Sequence, residues 1–221
     1  TQLCLQDGRK FRYTLNGGTL AVLGNVYQTA AVISTDAGLT CADGAIGDRL
    51  ITFTHSATPA ANYFSEGTAV ISVTPGGGDT YKILSHLVIV ATTGQVVNLA
   101  PGHALRRTLT TTSRLDLTAN PYAYVIKVPV TTITGTPVGV AVSAIAATTG
   151  MGWLQTAGVC GVLQDDTAVA GTHTVVPSAA AGAAGPETAT IANMKIELPI
   201  GTIITVGADT KFSTVLLRLD S

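Results

Sequence analysis

Apolar and polar residues alternate with a period of two in segment after segment of this chain, between Gly, Pro, Asn and Asp punctuation. That period marks half-buried β-strands. In Asp48-Arg49-Leu50-Ile51-Thr52-Phe53-Thr54, Ile51 and Phe53 fall on one face and Leu50, Thr52 and Thr54 on the other, as successive side chains on a strand must. The stretch 68–74 has the same pattern. Val138, Val140 and Val142 share a face opposite Gly139, Ala141 and Ser143, and Val215, Leu217 and Leu219 share one in the final run; β-branching strengthens the strand expectation. Helical spacing is almost absent.

The connections carry turn chemistry. Asn16-Gly17-Gly18 tolerates positive φ between Phe11-Arg12-Tyr13-Thr14 and Thr19-Leu20-Ala21-Val22, which predicts a hairpin. Pro75-Gly76-Gly77-Gly78-Asp79 and Gln164-Asp165-Asp166-Thr167 predict similar turns. Ala179-Ala180-Ala181-Gly182-Ala183-Ala184-Gly185-Pro186 is low in complexity, and its glycines and proline predict a surface loop. Many short strands spaced by turns predict an all-β fold, an antiparallel sandwich or barrel with little or no helix. A division near Val128 to Thr136 gives an N-terminal lobe, 1–130, with an N-terminal arm, and a C-terminal lobe, 131–221; one continuous domain is the alternative. At 221 residues the chain buries roughly 70% of its unfolded surface and needs no staple.

Composition adds partners to this picture. Hydrophobic residues make up 46% of the chain and charged ones only 11%, against about 25% charged in an ordinary domain. Lys plus Arg number 12 and Asp plus Glu 13, so neither mixed charge nor net charge keeps this surface soluble. Cover by other subunits is expected; a Thr/Ser-coated surface is the bland alternative. No basic patch suggests nucleic acid. From Val128 to Gln164 there is no formal charge, a length that can span a bilayer. Pro129, Gly135, Pro137, Gly139, Gly150 and Gly152 and many hydroxyls interrupt it, so buried strands or a subunit interface are expected in place of a membrane span.

Little else points to chemistry. Cys4, Cys41 and Cys160 form no CxxC pair, and three cysteines cannot all pair within one chain, which suits a reducing compartment. Thr1-Gln2-Leu3-Cys4 does not open a secretory signal and reads as a mature N-terminus after Met removal. His55, His86, His103 and His173 stand singly, without metal-ligand spacing, and no Gly-x-Ser-x-Gly elbow is present. Asp165-Asp166 suits a turn better than a cation site. Gly76-Gly77-Gly78 lacks the Gly-Lys-Ser/Thr of a phosphate loop, with Lys82 displaced. Trp153 is the sole tryptophan among 5% aromatics, a thin basis for stacking on sugars. Arg106-Arg107 would splay across a strand, either to meet an acidic partner at a rim or to guard an edge. The chain is therefore expected not to be an enzyme, with no catalytic residues, no cofactor and no metal.

Five segments read together: Gly8-Arg9-Lys10-Phe11-Arg12-Tyr13, Asn120-Pro121-Tyr122, Gly152-Trp153-Leu154-Gln155-Thr156-Ala157-Gly158, Leu163-Gln164-Asp165-Asp166 and Val215-Leu216-Leu217-Arg218-Leu219-Asp220. In that order the chain resembles the capsid decoration, or cement, proteins of tailed phages of aquatic bacteria. The resemblance implies an all-β protein, often trimeric, seated on the major capsid protein at the outer surface of a virion assembled in the host cytoplasm. It brings no catalytic residues. A shell or tail-tube protein, and a receptor- or glycan-binding fibre head, are the alternatives; a major capsid protein of the usual kind should show a long helix, and no segment supports one.

Overall fold

The computed structural model describes residues 1–31, 33–92, 94–130, 133–166, 169–176, 178–186 and 198–220. Strands and bridges make up 45% of the described residues and form two antiparallel sheets, with no α-helix among them. In chain order the strands are β1 (Gln2–Cys4), β2 (Lys10–Leu15), β3 (Val26–Gln28), β4 (Leu39–Thr40), β5 (Leu50–Phe53), β6 (Thr68–Val73), β7 (Thr80–Ser85) and β8 (Gln95–Leu99). There follow β9 (Arg114–Thr118), β10 (Ile126–Lys127), β11 (Pro137–Ala141), β12 (Met151–Leu163), β13 (His173–Val176), β14 (Gly185–Pro186), β15 (Leu198–Thr205) and β16 (Phe212–Arg218).

The chain divides into two compact units, one of Thr1–Val32 with Pro121–Ser221 and one of Ile33–Asn120 inserted between them. The boundary is thus not between 130 and 131, where the sequence places it. A cut there would split a single sheet, because β3 pairs with both β10 and β11, and β2 pairs with β12. Strands from both ends of the chain share these ladders.

In the inserted unit the order is β4-β9-β6-β7-β8-β5. Cys41 bridges Phe53, and the Thr54 N–H donates to the Thr40 carbonyl at 2.9 Å, so the first strand meets the last and the sheet nearly closes into a barrel. Its interior holds Ile51, Phe53, Phe64, Ile71, Tyr81 and Leu115. Ile51 and Phe53 are buried as their alternation predicts, while Leu50 faces out. The Pro75–Asp79 turn joins β6 and β7 as a hairpin.

The other unit is a ten-stranded half-barrel in the order β10-β3-β11-β12-β16-β15-β13-β14, with β1 on β2 and β2 on β12. β12 is its spine. Val215 and Leu217 enter a core with Cys160, Val162, Ile200 and Ile203, and Leu219 packs against it.

Four local expectations fail here. Residues 19–22 do not pair with β2: the Asn16 side chain donates to the carbonyls of Thr19 (2.8 Å) and Ala146 (2.9 Å) and accepts from Gly18 N–H. This turn sends Ala21 to bridge Ile145. Gln164-Asp165-Asp166 is no hairpin turn either, since β12 pairs with β16 and β2 and not with β13; Thr167 lies outside the described residues. The Ala-rich segment is only partly on the surface: Ala183, Ala184 and Gly185 are buried, and Gly185–Pro186 pairs with β13. Small side chains fit a tight interior as readily as a loop. Lastly, Val138 and Val140 enter different cores, because a bulge between Pro137 and Gly139 breaks the alternation.

Candidate interaction surface

The histidines make structural bonds. The Ala57 N–H donates to His55 Nδ1 at 2.9 Å, which leaves Nε2–H to donate to Asp36 Oδ1 at 3.1 Å. Burial pushes the Asp36 carboxyl up, and His55 opposes it. In His86 the Phe64 N–H donates to Nε2 at 3.0 Å and Nδ1–H donates to the Leu87 carbonyl at 2.7 Å; burial pushes this imidazole down. Both nitrogens of each buried ring are engaged, so neither ring has a position left for a base to use. His103 Nδ1 accepts from Lys82 N–H at 3.4 Å, and His173 lies in β13. Among the described residues no three His, Cys, Asp or Glu side chains gather as a metal site. Asp165 accepts from the Ala180 N–H at 2.8 Å.

Arg106 and Arg107 do not lie in a strand but in a bend before β9. Their work is local. Arg107 Nη2 stands 3.3 Å from the buried Asp79 carboxylate, which also accepts from the Tyr81 hydroxyl at 3.2 Å, while the Arg106 N–H donates to that hydroxyl at 3.0 Å.

Residues from four of the five segments read together in the sequence meet around β12. β2 pairs with its first half and β16 with its second, and the two overlap at Ala157, which stands opposite both Lys10 and Arg218. At the junction Gly158 has φ +83°, and a Cβ there would stand 2.9 Å from Arg9 Cα, so only glycine lets β2 approach. Arg12 donates to Asp220 Oδ2 at 2.8 Å, and its guanidinium lies 5.2 Å from the centre of the Tyr122 ring. The pair raises the Arg12 pKa, while burial and Asp220 together raise that of the Tyr122 phenol. This clasp joins the two ends of the chain, and no local spacing signals a pair so distant in sequence. Tyr13 sits opposite Trp153, with ring centres 5.0 Å apart in an edge contact.

The outward face of β2, β12, β16 and β15 is the largest chemical anomaly of this unit. Alternation turns Val215, Leu217, Cys160 and Val162 inward and Val159, Gly161, Phe212, Thr214 and Leu216 outward. Met151 is 62% exposed, Phe212 53% and Val159 50%, and a Cβ at Gly161 would meet nothing. Arg218 is the one formal charge on β12, β15 and β16, and Lys10 of β2 stands opposite the same Ala157. A sheet apolar on both faces is ordinarily covered on both, and exposed apolar patches mark interaction sites.

Among the described residues no helix is long and apolar enough to cross a membrane. All three cysteines are free thiols. No family model, curated protein or solved structure matches this chain.

Proposed function

We propose that this is a structural virion protein that decorates and stabilises a phage capsid as an oligomer, most simply a trimer, bridging subunits of the major capsid protein. The observation that carries the proposal is the charge-poor outward face of β12, β16 and β15, whose strands hold Arg218 as their one formal charge. Obligate interfaces are depleted of charge and resemble a core cut in half, and closed cyclic symmetry is the usual arrangement of identical subunits. The family resemblance of the segments around β12 and the low charge of the whole chain support the same reading.

The mechanism is mass action. A protein that binds the assembled shell but not its dissociated subunits stabilises the shell by RT ln(1 + [L]/Kd) per site, and many sites on one particle act together. Particles carrying the protein should release their DNA at a higher temperature than particles without it, at both low and high salt; equal release temperatures reject the cement role. Light scattering at micromolar concentration should find an oligomer that Val159→Lys dissociates, since that change puts a charge in the middle of the face. A second reading, a glycan-binding fibre head, is favoured by the half-exposed Tyr13 beside Trp153, and selective retention on host-surface polysaccharide would support it instead.

A further inference from the structure

The inserted unit carries a second apolar feature, on the connection between β7 and β8. Leu87 is 85% exposed, Val88 57% and Val90 48%. Single exposed apolar residues are ordinary, but these stand within four positions of one another on a backbone fixed from both sides. Before them, the His86 N–H donates to Asn62 Oδ1 at 3.0 Å, and the Asn62 N–H returns a bond to the His86 carbonyl at 3.1 Å. The buried His86 ring bonds Phe64 N–H and the Leu87 carbonyl. After them, Ile89 is plugged into the barrel core and its N–H donates to the Pro59 carbonyl at 3.1 Å. The two outward side chains sit between two buried anchors, so little backbone freedom remains to be lost on binding.

The surroundings narrow the partner. Residues 50–65 and 83–105 contain no Asp, Glu, Lys or Arg, and the bonds from 86 and 89 to 59, 62 and 64 bring these two charge-free stretches together. Nucleic acid would need cations here. A membrane surface would need basic residues and interfacial aromatics, and the one tyrosine of these stretches, Tyr63, packs against the barrel core. A glycan would need an exposed ring. A protein surface with an apolar pocket fits a rigid, uncharged knob.

We propose that Leu87 and Val88 form a preorganised anchor that seats in an apolar pocket of the shell protein this chain coats. The assignment rests on the decoration function proposed above. It is tested with shells assembled from the coat protein of the virus that encodes this chain, with wild-type protein and the Leu87→Ser/Val88→Ser variant. Both positions are more than half exposed, so the variant should melt within about 2 °C of wild type, losing little buried contact. Its affinity for shells should fall on the order of 100-fold or more per site, as expected on losing two buried apolar side chains from a contact, with little dependence on salt. Val88→Lys alone should weaken binding comparably. Equal binding by wild type and both variants overturns the anchor while leaving the decoration function intact. No binding of wild type to shells overturns both. An oligomer that the double variant converts to monomer assigns the knob to a second copy of this chain and overturns the shell contact.

Discussion

The clasp between Arg12 and Asp220 should couple the two ends of the chain energetically, and the structure sets how strongly. The donor–acceptor distance is 2.8 Å, and the two side chains are only 28% and 19% exposed. A hydrogen bond to a charged group contributes about 1.5–3 kcal/mol when sheltered, against about 0.2–1 kcal/mol for an exposed ion pair. Partial exposure on both sides discounts the upper figure, so a coupling of about 1–2 kcal/mol is expected from an Arg12→Met, Asp220→Asn double-mutant cycle. Arg12→Met alone should cost more, about 2–3 kcal/mol, because it also removes the contact with the Tyr122 ring and leaves Asp220 short of a partner. Urea unfolding followed by tryptophan fluorescence is the assay: Trp153 is the sole tryptophan and faces Tyr13, the neighbour of Arg12 on β2, so the signal reports this unit. All four proteins must be compared at one concentration, since assembly adds to apparent stability. Asp7 and Arg9, whose ion pair at 2.7 Å is much more exposed, supply the control. A coupling below about 0.3 kcal/mol, or one no larger than that between Asp7 and Arg9, would refute the clasp.

Burial holds His86 below its ordinary pKa, so its contribution to stability is complete above pH about 6.5 and drains away as pH falls toward the folded value, the unfolded chain taking up a proton that the native ring refuses. Wild type should therefore lose more urea resistance between pH 7 and pH 5 than His86→Gln does; parallel losses would contradict this. A Cβ at Gly139 would stand 2.7 Å from Leu154 Cβ, so Gly139→Ala should destabilise by about 1–3 kcal/mol while Gly161→Ala, with open space, stays within about 0.5 kcal/mol; equal effects in denaturant melts would show that β11 can yield. With a disulfide-exchange reagent at pH 8, the exposed Cys4 should react in the native protein, whereas Cys41 and Cys160, pushed by burial up to about 11, should react only on unfolding. Fast reaction of all three would mean that the cores open readily.

What the chain displays locally, it displays well. Ile51 with Phe53 and Val215 with Leu217 are buried as their alternation requires, and the Pro75–Asp79 turn makes its hairpin because glycine and aspartate serve the turn itself. Legibility ends where a residue acts at a distance. Asn16 looks like a hairpin residue, yet its amide bonds Ala146 and turns the chain away. Arg12 and Asp220 are ordinary strand-end charges until β12 pairs with both β2 and β16 and brings their ends together at Ala157. The inserted unit was invisible for the same reason: uniform short strands carry no mark of which sheet they join, and only the pairing of β3 with β10 and β11 closes one unit around the other's point of insertion.

The low charge is also not spread evenly, and its distribution is what the proposed assembly would use. Several of the charges that the structure holds are committed to neighbours: Arg107 to Asp79, Lys82 to Glu66, Arg12 to Asp220, Arg9 to Asp7. They fasten turns, strand ends and barrel exteriors and leave the outward positions of β12 and β15 to Val, Gly, Thr and Ile. Natural sheets that stay in water break up such surfaces with charge, particularly lysine, because an uncharged flat face invites unwanted association. Here alternation supplies a core on one side of β12 and leaves the other side equally free of charge, so the same period that builds the unit also builds the surface by which it would be covered. Arg218, at the end of β16 opposite Ala157, then limits the face on one side: a partner that covers it must either stop short of the guanidinium or offer it an acceptor, because a buried unpaired charge costs more than the apolar contact around it returns.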